Sequence, residues 1–516
     1  MSAIPETVEV LLARYGPRYR IFVILTSMLG TISAVLTTTT VNVALPDIMG
    51  SFGIGQERAQ LISAGALAGM TIGMLLNAWL MDSFGQRNTF VGALAIFVVA
   101  LLVAGLSPNE LVLIMARVVQ GVIAGVLQSL NMYTSFSVYP PGQRGRAMGF
   151  SAIAIILGPA IGPTLGGIMI EHFNWRFVFY AALPFCAAGL LLGVIFMPER
   201  DVTTKRAHFD WTGFLLLCVT MWCLLIGLSN GQREGWESDF VLGLLALSAG
   251  ACICLVLWEL RVSQPLVNLR VLACGQFTAA ACVAVIFGLG MFGSTYLVPL
   301  FVQTIQGFTP YAAGLMLLPG GLILGVFMPF GGYMSDKLPA RPLIITGLLC
   351  FAASSYWLGA IDVNTSFWGI AICVVVNRIG LALIKPTLNV NALRSLPPEL
   401  LGQGSGMINF SRQLGGAFGV NLLSVYLDRR TFYYSDVLTS MQTAANSATS
   451  QLRRSIESLL AQTGASTHLQ SDGALHFLGR VVHAQASTLA FRDSFMIVTL
   501  IFILALIPAW IMGRKT

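Results

Sequence analysis

The sequence predicts an all-α membrane protein with about fourteen transmembrane helices, and three observations carry that prediction. The 516 residues are 56% hydrophobic and 10% charged, with mean hydropathy +0.79. Soluble domains carry roughly 25% charged residues. Apolar runs recur along the whole chain, each long enough to cross roughly 30 Å of hydrocarbon as a helix. Lys and Arg are concentrated in alternate loops. A transmembrane β-barrel would show short alternating segments instead.

The first run, 21–47, follows Arg14, Arg18 and Arg20. It is too long for a signal-peptide core and no A-x-A-like site follows it, so it reads as a retained span. Runs at 58–81 and 88–107 flank "MDSFGQR"; 110–137, 146–170 and 176–197 complete a set of six. Two more, 211–230 and 240–260, precede a second six at 277–303, 311–335, 341–360, 367–394, 404–427 and 490–512. An even number of spans puts both termini on one side. Sixteen Lys and Arg, from Arg14 to Lys515, fall in segments on that side, against Arg58, Arg176 and Arg233 in the short loops opposite. The asymmetry makes the side cytoplasmic. By the same pattern the polar segment 428–489 lies outside. Within it, "SQLRRSIESLLAQ" spaces Leu452, Ile456, Leu459 and Leu460 as a short amphipathic helix. The segment reads as a surface loop with some helix or as a docking platform for an external partner.

Several chemistries find no support. The net charge of +7 belongs to the loop asymmetry, not to a nucleic-acid face. The five histidines have no metal-ligand spacing, and no phosphate loop is present, so neither a metal, a cofactor nor ATP is expected. "GLGMFG" at 288–293 fits a dinucleotide pattern but lies inside an apolar span without a preceding strand, which points to helix packing. The nine cysteines lie in or beside apolar runs and give no disulfide framework. No cluster of nucleophile, base or metal ligands supports an enzyme.

Two stretches repeat one idea. "AWLMDSFGQR" (78–87) ends the second span and "GYMSDKLPAR" (332–341) ends the tenth. In each, an Asp (Asp82, Asp336) closes a helix, a turn follows (Gly85 in the first copy), and an Arg comes next (Arg87, Arg341). Such an Asp can cap a neighbouring helix N-terminus and pair with Arg. The spacing predicts two six-helix bundles, 1–200 and 271–516, with 201–270 as two inserted helices. Two similar bundles around a central site describe a rocking transporter. Arg117 in "ARVVQG" and Arg378 and Lys385 in "NRIGLALIKP" are charges deep in spans, costly enough in lipid that they must face a cavity or a polar partner. Gln120 shares the face of Arg117.

These residues resemble the major facilitator superfamily. Asp82, Gly85 and Arg87 resemble its loop motif between spans 2 and 3, with Ala78 where Gly is usual. Arg117, Gln120 and Gly121 resemble its fourth-span motif. "LGPAIGPTLGG" (157–167) resembles the fifth-span antiporter motif. "NVALPDI", "NWRFVFY" and "SRQLGGAFG" are similar to the fourteen-span drug:proton antiporters of the EmrB/QacA type. The resemblance implies a major facilitator fold and secondary active export, with substrate between the bundles. In a two-membrane bacterium it implies an inner-membrane protein working with a periplasmic adaptor and an outer-membrane channel. Independently, Gly158, Pro159, Gly162 and Pro163 give a bent helix that neighbours approach closely, suited to gating. Gly65, Gly69 and Gly73 offer a second such seam.

"LTTTTVN" (36–42) places four hydroxyls and an amide in the first span. In the EmrB/QacA type an aspartate commonly stands where this chain has Thr37. A helical threonine can return its hydroxyl to the carbonyl one turn back, so the run need not face water. The resemblance makes Thr37 a cavity residue, with Asn42 close by. No Asp or Glu falls in the middle of a span, while Arg117, Arg378 and Lys385 do. A cavity with fixed cations and neutral walls attracts anions. The expected substrate is therefore anionic or zwitterionic. The proton's carrier stays open between Asp82 or another acid near the surface, the substrate itself and a desolvated Lys385. Export of lipophilic cations, import, and a non-transporting sensor or scaffold are the competing readings.

Overall fold

The computed structural model describes residues 7–199, 208–231, 234–262, 265–443, 446–463 and 466–512. The side chains of Pro159 and Pro163, both expected in the switch, lie outside the described set. Every regular element among the described residues is helical. Short α1 (Val8–Tyr15) leads into α2 (Tyr19–Phe52), α3 (Gln56–Gly105), α4 (Glu110–Ser137) and α5 (Arg144–His172). Then come α6 (Phe177–Tyr180), α7 (Leu183–Phe196), α8 (Trp211–Asn230) and α9 (Asp239–Glu259). The remainder is α10 (Gly275–Thr304), α11 (Pro310–Lys337), α12 (Ala340–Leu358), α13 (Phe367–Arg394), α14 (Leu401–Ser440), α15 (Ser447–Gln462), α16 (Thr467–Leu504) and α17 (Leu506–Ile511).

Side-chain caps start several of these helices. Asn109 accepts from the amide of Val112, Asp210 from Gly213, Thr309 from Ala312 and Ser366 from Gly369. Each satisfies a first-turn amide that no intrahelical carbonyl reaches. Among the described residues eleven helical stretches are long and apolar enough to cross a membrane. α3 counts once among them although it doubles back at Gly85, and α5 and α14 complete the fourteen spans read from the sequence. Gly85 has φ 80° and ψ 170°, a conformation open essentially to glycine alone. It turns the chain between the second and third spans inside one unbroken run of helical assignment.

Two apolar cores hold the helices. One gathers buried side chains between Leu11 and Met197; the larger draws mainly on α10–α17, joined by Ile72, Met132, Met148 and Leu217. Within the first region α3 packs on α4 and α2 on α5; within the second α10 packs on α14 and α13 on both α11 and α12. α8 pairs with α9. α5 meets α11 and α3 meets α14, joining the two regions. The "GLGMFG" glycines do pack helices: a Cβ on Gly288 would meet the carbonyl of Arg412, and one on Gly290 the ring of Phe502.

The segment 428–489 holds more helix than a surface loop with some helix would. α14 runs on to Ser440 and α16 begins at Thr467, so both helices continue unbroken beyond their apolar stretches. α15, where the amphipathic spacing falls, lies against α16. At the base of this hairpin Arg430 pairs with Asp493 at 2.9 Å, and Tyr434 donates to the same carboxylate at 2.8 Å.

Candidate functional site

A pocket inside the first region is formed by α2, α3 and α4. Thr37 and Thr38 come from α2, Ala66, Met70 and Phe97 from α3, and Arg117, Gln120 and Gly121 from α4. Arg117 is 1% exposed. Its Nη1 donates to Gln120 Oε1 at 3.1 Å, and Gln120 Nε2 donates to the carbonyl of Ala100 at 3.0 Å. Nε and Nη2 of Arg117 have no partner. The arrangement therefore presents a cation with two open donors. No acidic residue is among the described residues that line the pocket. Thr37, Arg117 and Gln120, expected together from the sequence, are brought together here. Asn42 is not: it is exposed, and its Oδ1 accepts from Ser63 at 3.2 Å.

The threonines explain themselves through α2 and α5. Thr37 donates to Ser33 O at 2.8 Å, Thr38 to Ala34 O at 3.1 Å and Thr40 to Leu36 O at 3.0 Å. Their hydrogens are spent on their own helix. Thr39 also reaches the carbonyl of Gly158 on α5, at 3.1 Å. A Cβ on Gly158 would sit 2.3 Å from Val35 Cγ1, and one on Gly162 2.0 Å from Thr39 Oγ1. Both glycines are thus required by the contact between α2 and α5. Gly69 and Gly73 do the same for α3 against Val118 and Val122 of α4.

A second pocket lies in the other region, between α10, α11, α12 and α13. It is lined by Ser294, Val298, Leu317, Leu358, Val374, Asn377 and Arg378. Arg378 Nη2 donates to Thr295 Oγ1 at 3.3 Å. Lys385 is buried, at 4% exposure, but lines neither pocket. It lies within electrostatic reach of Arg412. Arg412 is deep in the fold. It is 6% exposed, and its Nη2 donates to Gln128 Oε1 of α4 at 3.2 Å. Sequence reasoning missed Gln128 and Asn377. The signal for Asn377 was present, as an amide beside a deep arginine in "NRIG".

The contacts that tie the two regions gather near Asp82 and Asp336. Asp336 Oδ1 accepts from Gly145 N at 2.7 Å and Oδ2 from Arg146 N at 3.0 Å, capping α5 from α11. Arg394 Nη2 donates to the carbonyl of Pro141 at 2.8 Å. Gly406 of α14 lies against Met74 of α3. The arginines of the two repeated stretches bind elsewhere. Arg87 pairs with Glu199 at 2.6 Å and donates to Val194 O, while the guanidinium of Arg341 lies 3.2 Å from the ring centre of Trp510. Asp82 is exposed at its corner. Among the described buried side chains Glu259 is the one acid, at the end of α9, where its Oε1 accepts from Val267 N at 3.2 Å.

A family model described as Major Facilitator Superfamily matches residues 27–420. The chain is 29% identical to the MFS-type transporter YhcA of Bacillus subtilis, over 93% of this chain and 90% of that one. It is 28% identical to the multidrug export protein EmrB of Escherichia coli, over 80% and 81% of the two chains. A solved structure of the proton:xylose symporter XylE superposes with TM-score 0.64 at 15% identity, covering 97% of each chain.

Proposed function

The chain belongs to the major facilitator superfamily, and from that premise we propose that it is a secondary active exporter of small anionic or zwitterionic amphipathic compounds, exchanging them for protons by alternating access. The observation that carries the substrate class is Arg117, a buried guanidinium whose Nε and Nη2 have no partner, in a pocket with no acid among its described walls. A buried charge needs a partner of opposite sign, and a guanidinium matches carboxylate oxygens well. In this reading Thr37, Arg117, Gln120 and Arg378 contact substrate, while Asn42 and Lys385 act from the margin of the path.

The contacts that tie the regions support a state closed at the Asp82–Asp336 end and open at the other. That end is the cytoplasmic one by the distribution of Lys and Arg, so both termini face the cytoplasm and the membrane is the inner one. Asp82, Gly85, Arg87, Asp336 and Arg341 form the corners that shift in the switch. Gly158 and Gly162 form the sliding contact on α2. In a two-membrane host the hairpin 428–489 meets a periplasmic adaptor that leads to an outer-membrane channel. The multidrug name of the E. coli relative speaks for breadth of substrate, and a multidrug exporter of lipophilic cations is the second reading.

Proteoliposomes with an imposed pH gradient test the choice. Labelled cinnamate should move faster than ethidium, and Arg117→Gln should abolish cinnamate flux. Ethidium movement with cinnamate ignored would overturn the anion reading. Flux indifferent to the pH gradient would overturn proton exchange.

A further inference from the structure

We propose that the pocket around Asn377 binds a neutral group that both donates and accepts hydrogen bonds, of the carboxamide kind, on the exported compound. The inference rests on the export reading and adds a second recognition element, in the half opposite Arg117.

Asn377 is 2% exposed, and neither its Nδ2 nor its Oδ1 has a partner. Among the described buried amides it alone has both polar atoms fully enclosed and without a partner. Asn131 accepts from Ser27 at 2.8 Å, Asn409 donates to Ser405 O at 3.0 Å, and Gln120 is bonded at both ends. The neighbours that could have served Asn377 are committed elsewhere. The hydroxyl of Ser294 donates to Met291 O at 3.1 Å, and Arg378 reaches Thr295. The remaining walls, Val298, Leu317, Leu358 and Val374, carry no polar side chain.

An amide held in apolar walls with two unmade bonds opposes folding unless something completes it. The pocket lies on the helices that correspond, by the repeat, to those around Arg117. The two pockets offer different chemistry. Arg117 supplies donors only, whereas Asn377 supplies one donor and one acceptor side by side. A carboxamide answers both, its carbonyl taking the Nδ2 hydrogen and its N–H meeting Oδ1. A ketone or an ionised carboxylate leaves Oδ1 unmet. Sites built to pair a donor reject analogues that lack it far more strongly than apolar pockets reject a missing methylene.

Equilibrium binding to the full chain in lipid nanodiscs tests this with three probes of one shape: cinnamamide, its methyl ketone benzylideneacetone, and cinnamate. Cinnamamide should bind at least about tenfold tighter than the ketone, and Asn377→Leu should erase that preference. Asn377→Ser, which shrinks the side chain without adding bulk, should weaken the amide in the same direction and serves if the leucine variant does not fold. Failure of cinnamamide to bind, equal affinity for amide and ketone (the result if the pocket holds water alone), or a preference that survives Asn377→Leu would overturn the proposal. Loss of cinnamate binding with the amide preference intact would sink the anion reading and leave this one standing.

Discussion

The carboxylate of Asp336 accepts the main-chain amides of Gly145 and Arg146, so the last turn of α11 caps the first turn of α5. Both amides belong to the set that an α-helix leaves without partners at its start, where the macrodipole also favours negative charge. The bond therefore fastens two bundles with a group whose natural partner lies across the seam. Asp336→Ala removes two charge-assisted hydrogen bonds, each worth about 1.5–3 kcal/mol. The closed arrangement at this end should lose population by about tenfold or more. Spin labels at Gly142 and Lys337 should then report a larger share of long separations.

Gly85 sits at φ 80° and ψ 170°. Gly85→Ala places a Cβ in a region that costs roughly 1–3 kcal/mol. Thermal unfolding in detergent should move to lower temperature, with the second and third spans less protected from hydrogen exchange than the rest.

The contact of Gly162 with Thr39 predicts coupling. Gly162→Ala sets a methyl 2.0 Å from Thr39 Oγ1 and should destabilise the protein by about 1–3 kcal/mol. Thr39→Ala in the same chain should recover part of that loss. Strictly additive stabilities in the double-mutant cycle would contradict the contact.

Gln120 is the acceptor that the structure gives Arg117. Gln120→Leu leaves a buried cation without it, and losing a hydrogen bond to a charged group typically costs about 1.5–3 kcal/mol. Arg117→Leu combined with Gln120→Leu should be more stable than Gln120→Leu alone, although inactive. The thermal midpoints of the three proteins check the ordering.

Arg430 and Tyr434 share Asp493 at the foot of the α14–α16 hairpin. Arg430→Ala should raise amide exchange in 428–440 and 467–489 and leave the bundles unchanged. Uniform exchange across the chain would show that the clasp holds nothing locally.

Much of this was readable in the sequence because lipid imposes length and charge rules. The fourteen spans follow from runs of apolar residues, and Arg117 announced itself as a charge that hydrocarbon does not tolerate. The capping chemistry of Asp336 followed from a helix end meeting a turn, but the identity of its partner did not, because Gly145 and Arg146 are almost two hundred residues away. Asn42 was legible as polar, but its neighbour was not: four residues along the helix from Thr38, it emerges at an exposed contact with Ser63. The segment 428–489 looked like a loop because its residues are polar. Polarity sets exposure and leaves helix length to backbone propensity, and few Gly or Pro interrupt it. Asn377 required the surroundings of one side chain, which no periodicity encodes.

The unbroken passage of α14 and α16 out of the apolar layer makes the second bundle a lever. α14 alone is about 60 Å long at 1.5 Å per residue. Its far end is stiffly joined to the bundle with no hinge glycine between Val420 and Ser440. A rocking of roughly 10° at the foot would sweep the tip through about 10 Å. Anything gripping that tip would feel each turnover as a stroke, and the grip would in turn resist the motion.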